Sequence, residues 1–122
     1  KGSNLAGLGP VSLLGFSQPC SFNYRLALAP PGGRPFRAVV GTCGGVPGDW
    51  ITSPFDGVRE LRTAALHVST AEDPYYSADH VAPYREKLRE RFGLAEHRIY
   101  EGGHRIPSAA FPDIQAFLGA HG

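Results

Sequence analysis

The stretch Val11–Phe22, VSLLGFSQPCSF, decides how the rest of the chain is read. A short apolar run, Val11 to Leu14, ends at Gly15, and Ser17 follows two places later. Beyond it, residues from about Gln18 to Ala29 can form a helix that Pro30 and Pro31 would stop. Strand, tight turn and helix are therefore packed into a dozen positions. Ser17 then has two readings. It is either an ordinary helix N-cap or a nucleophile whose oxygen a strained strand-to-helix turn pushes out above a sheet. Gly15 suits the second reading because it has no Cβ to obstruct the turn.

Three further apolar runs repeat the pattern. They are Phe36–Gly41, Ala64–Ser69 and His97–Tyr100. The first three runs are nearly continuous in apolar residues, which predicts strands buried on both faces of a parallel sheet. A helix is predicted from about Ser77 to Phe92. Val81, Tyr84, Leu88 and Phe92 form one stripe, and Gly93 supplies the stop. The mixed charges of REKLRER then occupy the solvated faces. A last helix runs from about Pro112 to Ala120, with Ile114, Phe117 and Leu118 inward. The expected architecture is a single α/β domain: a parallel sheet of about four strands flanked by helices, with right-handed crossovers. Because the first strand stands so near Lys1, a neighbouring strand is expected from residues absent from this chain.

Composition narrows the function. The 122 residues suffice for one domain; 42% are apolar, 19% charged, and the net charge is +1. Such a balance argues against nucleic acid or an anionic membrane as partner. No apolar run approaches the ~20 residues of a membrane span. Cys20 and Cys43 are too few for a structural zinc site. They read as buried thiols, with a disulfide as the alternative. No metal or other cofactor is expected. Only Gly15 stands where a phosphate-binding loop needs several glycines, and no P-loop lysine is present.

A serine nucleophile needs a base, and the base an orienting acid. Asp73 lies just beyond the third strand in HVSTAEDPYY, and His104 just beyond the fourth in IYEGGHRIP. In a parallel sheet these loops leave from the same carboxyl edge, so Ser17, Asp73 and His104 can converge there. Plainer roles stay open. Asp73 can be a turn residue before Pro74, with Glu72 as the reserve acid, and His104 a solvated loop histidine.

LLGFSQ, RAVVGTCGGVPGDW, LHVSTAEDPYYS, GGHRIP and FPDIQAFLGAHG together resemble the C-terminal half of an α/β-hydrolase. The nearest likeness is to the phospholipase/carboxylesterase and dienelactone-hydrolase-like esterases. The resemblance runs from Val11 to the end. It implies Ser17 as nucleophile, Asp73 as acid, His104 as base and the N–H of Gln18 as an oxyanion donor. It also implies that the N-terminal strands are missing, and with them the loop that gives the second donor. That half, or a second copy in its place, is the expected partner. Pro19 departs from the family, which has a small residue there; proline also biases Gln18 away from helical angles.

The implied activity is cleavage of carboxylic esters through an acyl-enzyme. The connection between the second and third strands is too short for a large cap domain, so the site would be open and favour small acyl groups. Phe16, Trp50, Phe55, Tyr75 and Tyr76 stand at the active edge, where they either line a substrate pocket or simply pack the loops. The alternative function is a hydrolase-like module that binds a ligand without turning it over.

Overall fold

The computed structural model describes residues 11–48 and 59–122. Four parallel strands form one sheet in the order β1 (Leu13–Phe16), β2 (Ala38–Thr42), β3 (Glu60–Thr70), β4 (Phe92–Tyr100). Helix α1 (Pro19–Leu28) follows β1, and a short 3-10 turn occupies Pro31–Gly33. The short helices α2 (Ala78–Val81) and α3 (Tyr84–Arg89) connect β3 to β4, and α4 (Ala110–His121) closes the chain.

Alternation along the strands sorts side chains into two cores. On one face Val39 and Ala65 pack with Cys20, Tyr24 and Ala27 of α1 and with Val81, Tyr84 and Leu88 of α2 and α3. On the other, Ala38, Val40, Leu66 and Val68 meet Ala110, Ile114 and Phe117 of α4. The strands β2 and β3 are thus covered on both sides, as their apolar runs predict.

Several expectations need correction. The strand β1 is not buried on both faces: exposure alternates along it, and Leu14 is 59% exposed. The helix α1 packs on one face of β1, while the core beneath α4 is built from β2 and β3 and leaves an open groove beside Leu14 and Phe16. The helix expected over Ser77–Phe92 is two helices. Pro83 has no N–H to give and crowds the preceding turn, so α2 ends at Val81 and α3 starts at Tyr84. The stripe survives the break, since Val81, Tyr84, Leu88 and Phe92 all enter one core. Gly93 does not stop that helix either. It lies inside β4, where a Cβ would come within 2.5 Å of the Leu61 carbonyl oxygen. β4 begins at Phe92, well before His97, and β3 begins at Glu60, before Ala64. The polar Glu60, Arg62 and Thr63 hide the start of β3 from a search for apolar runs, and the start of β4 is hidden because Phe92 continues the helical stripe and Gly93 reads as its stop.

Candidate active site

Ser17 sits between β1 and α1 with φ +66°, the left-handed region that side chains other than glycine rarely adopt. Several contacts hold it there. Its N–H donates to the Thr42 carbonyl at 2.9 Å, and the Cys20 N–H donates to its carbonyl at 3.1 Å. The Thr42 hydroxyl donates to the Gly15 carbonyl at 2.9 Å. Two glycines permit this tightness. A Cβ at Gly15 would meet Asn23 Nδ2 at 2.7 Å, and one at Gly44 would collide with the Ser17 carbonyl oxygen and the Cys20 side chain. Ser17 is not the N-cap of α1; Gln18 is, with Pro19 in the first turn. Gln18 adopts helical angles, φ −55° and ψ −40°, despite the proline that follows. The expected bias is overridden by the hydrogen-bonded turn that Ser17 and Cys20 close.

The Ser17 hydroxyl is 3.0 Å from Nε2 of His104. Nδ1 of His104 is 2.9 Å from Oδ2 of Asp73. The Asp73 side chain is almost wholly buried, that of His104 about one-fifth exposed. Burial by itself would raise the Asp73 carboxyl. The hydrogen bonds from His104 and from the N–H groups of Tyr75 and Tyr76 outweigh it, so the carboxyl sits below its ordinary range. An ionised Asp73 accepts the proton on Nδ1, which leaves Nε2 to accept from the Ser17 hydroxyl. Asp73 does hold a turn: Oδ1 accepts the N–H groups of Tyr75 and Tyr76 while Oδ2 faces the imidazole. Glu72, the reserve acid, is engaged elsewhere: its Oε1 accepts the Gly102 N–H at 2.8 Å.

Ser17, Gln18, Pro19, Tyr75, Tyr76 and His104 line an open cavity of about 460 Å³. Tyr75 meets the His104 ring edge-on with centroids 4.8 Å apart, and Tyr76 lies nearly parallel to it at 6.1 Å. Phe16 touches the same ring from 5.0 Å but lines a separate apolar groove of about 270 Å³, with Leu14, Ile106, Phe111 and Ile114. Trp50 and Phe55 lie outside the described residues. Cys20 and Cys43 are free, buried thiols and no disulfide joins them. Among the described residues no group of three or more His, Cys, Asp or Glu side chains is arranged to hold a metal ion.

Sequence reasoning passed over a second polar cluster, in the core beneath the elbow. The Tyr24 hydroxyl donates to His67 Nδ1 at 2.7 Å, and His67 Nε2–H donates to the Gly44 carbonyl at 3.0 Å. His67 is fully buried. Its place inside an apolar run was visible in the sequence, but its partners come from α1 and the loop after β2.

No protein-family model matches the chain, and no curated protein matches it. Solved structures do. Esterase PE8 superposes on 97% of this chain with a TM-score of 0.76 at 22% sequence identity. The protein Atu2452 of unknown function from Agrobacterium tumefaciens str. C58 superposes on 93% with a TM-score of 0.70 at 24% identity. This chain spans 54% and 53% of their respective lengths. The fold is that of an α/β-hydrolase, and the chain covers about half of it.

Proposed function

We propose that the chain carries the catalytic residues of a serine hydrolase that cleaves carboxylic esters. One observation supports this most: the continuous hydrogen-bonded line from Ser17 through His104 to Asp73, which ends on a left-handed serine in an open cavity. His104 Nε2 takes the hydroxyl proton as Ser17 Oγ bonds to the ester carbonyl carbon. Charge builds on the carbonyl oxygen, where the N–H of Gln18 at the start of α1 donates to it. Collapse breaks the ester C–O bond, and His104 returns its proton to the departing alcohol oxygen. Water, deprotonated by His104, then attacks the acyl carbon and releases the acid and Ser17.

Among the described residues the cavity is open, and Tyr75, Tyr76 and Pro19 wall it. Small acyl groups suit it best, within the range of phospholipase/carboxylesterase or dienelactone-hydrolase-like enzymes. The second oxyanion donor comes from the N-terminal half of such a fold, or from a second copy in its place, seated on the open side of β1. Exposed Leu14 and the roughly half-length match support that arrangement.

Intact-mass spectrometry after treatment with a fluorophosphonate tests the reading. The expected result is one probe mass on the wild-type chain and none on Ser17→Ala. A full-length protein that gains no mass would overturn the esterase reading in favour of a ligand-binding module.

A further inference from the structure

Only two non-glycine residues among the described ones adopt a left-handed backbone, Ser17 at φ +66° and Cys43 at φ +51°. Strain of this kind persists where surrounding contacts hold it. Cys43 follows β2 directly, and its N–H donates to the Val68 carbonyl at 2.8 Å. Its side chain is turned to the histidine loop, where Sγ–H donates to the Arg105 carbonyl at 3.1 Å. Thr70, the last residue of β3, approaches the same loop. Its hydroxyl donates to the Gly103 carbonyl at 2.7 Å. Cys43 Sγ and Thr70 Oγ1 are 4.0 Å apart, and both residues are 1% exposed.

The two carbonyls they hold belong to the residues on either side of His104. A third bond, from the Arg105 N–H to the Gly103 carbonyl at 2.8 Å, closes the backbone around the histidine. Before the histidine the loop is tied at Gly102, whose N–H donates to Glu72 Oε1 at 2.8 Å and whose carbonyl accepts the Glu72 N–H at 3.0 Å. Past Gly102 the bonds from Cys43, Thr70 and Arg105 are the ones that hold the flanking peptides. Gly102 and Gly103 give it freedom, and Gly102 itself stands at φ +129°. An imidazole on such a loop would sample positions in which Nε2 misses Ser17. Loss of near-attack geometry of that kind is expensive in rate.

We infer that Cys43 and Thr70 are positioning residues, which pin the peptides flanking His104 so that its ring spans Ser17 and Asp73. The inference rests on the serine-hydrolase reading of the site. Neither side chain touches the ester. Their effect is on kcat, through the orientation of the base.

The test uses the full-length protein, p-nitrophenyl acetate as substrate, and proton NMR of the strongly downfield Nδ1–H of His104. Thr70→Val should lower kcat about tenfold to a hundredfold with KM little changed. It should also broaden or remove the downfield signal. Thr70→Ser, which keeps the hydroxyl, should restore both. Cys43→Gly separates positioning from stability, because it relieves the left-handed strain while removing the thiol. Its melting temperature should hold or rise while kcat falls, and it stands in should Thr70→Val fail to fold. An active enzyme whose kcat and downfield signal are unchanged in both Thr70→Val and Cys43→Gly overturns the inference. If the wild type is inactive but its signal is present and is lost in these variants, the positioning role stands and the esterase reading falls instead.

Discussion

The Ser17 hydroxyl and His104 Nε2 lie 3.0 Å apart although 87 positions separate them in the chain. β1 and β4 carry these residues to the same edge of the sheet, and the two strands between them set the spacing. The contact therefore depends on the register of the whole sheet, and on the two loops that carry Ser17 and His104 beyond it.

Asp73→Asn should lower kcat by about 10⁴ with little change in fold. The asparagine carbonyl can still accept from the N–H groups of Tyr75 and Tyr76. Its NH₂ then faces His104 Nδ1 and selects the tautomer with the proton on Nε2, which cannot accept from Ser17. Steady-state kinetics beside a circular-dichroism melt would check both halves.

Ser17→Gly and Ser17→Ala should both be inactive yet differ in stability. At φ +66° alanine keeps the Cβ strain and glycine does not. The glycine variant should be the more stable by about 1 kcal/mol in urea unfolding. Equal stabilities would mean that the serine backbone is not strained as described.

Gly44→Ala should damage the elbow without touching any reacting group. Its Cβ would collide with the Ser17 carbonyl and with Cys20. Overpacking of this kind costs about 1–3 kcal/mol. The fluorophosphonate labelling rate should fall along with stability, because the backbone that must move is that of Ser17.

Stability should fall as the medium is acidified, and His67 should account for part of the loss. Burial, aided by the nearby His97, pushes the His67 imidazole down from 6.5 to about 3 against the pull of the Gly44 carbonyl. Between those values the unfolded chain binds a proton that the native core refuses, so stability rises with pH across that window. It is complete above about 6.5, and its loss toward pH 3 is on the order of a few kcal/mol. Asp73, with its carboxyl held low, adds a loss of the same sign at the acid end. Urea titrations at pH 7.5 and pH 5 should show a steep drop for the wild type and a shallower one for His67→Gln. A drop of the same size in the variant would remove His67 from the account.

The sequence by itself determined the layered α/β plan and its order. Continuous apolar runs at Ala38–Val40 and Ala64–Val68 belong to strands covered on both faces, and the stripe from Val81 to Phe92 marks a buried surface even where Pro83 breaks its helix. It also pointed to Ser17, Asp73 and His104, because each stands just past a strand end and such ends share one edge. What it left undecided was decided by tertiary contacts. Whether Ser17 caps a helix or faces a histidine depends on the Thr42 carbonyl and on the space left by Gly44. Glu72 and Asp73 are adjacent acids of nearly the same chemistry; only the path of the Gly102–Gly103 loop gives one to a backbone N–H and the other to the imidazole. Local propensity and periodicity report the elements a chain will form, because those depend on near neighbours. Hydrogen bonds between loops far apart in sequence carry no local pattern, so they appear only when the sheet has set its register.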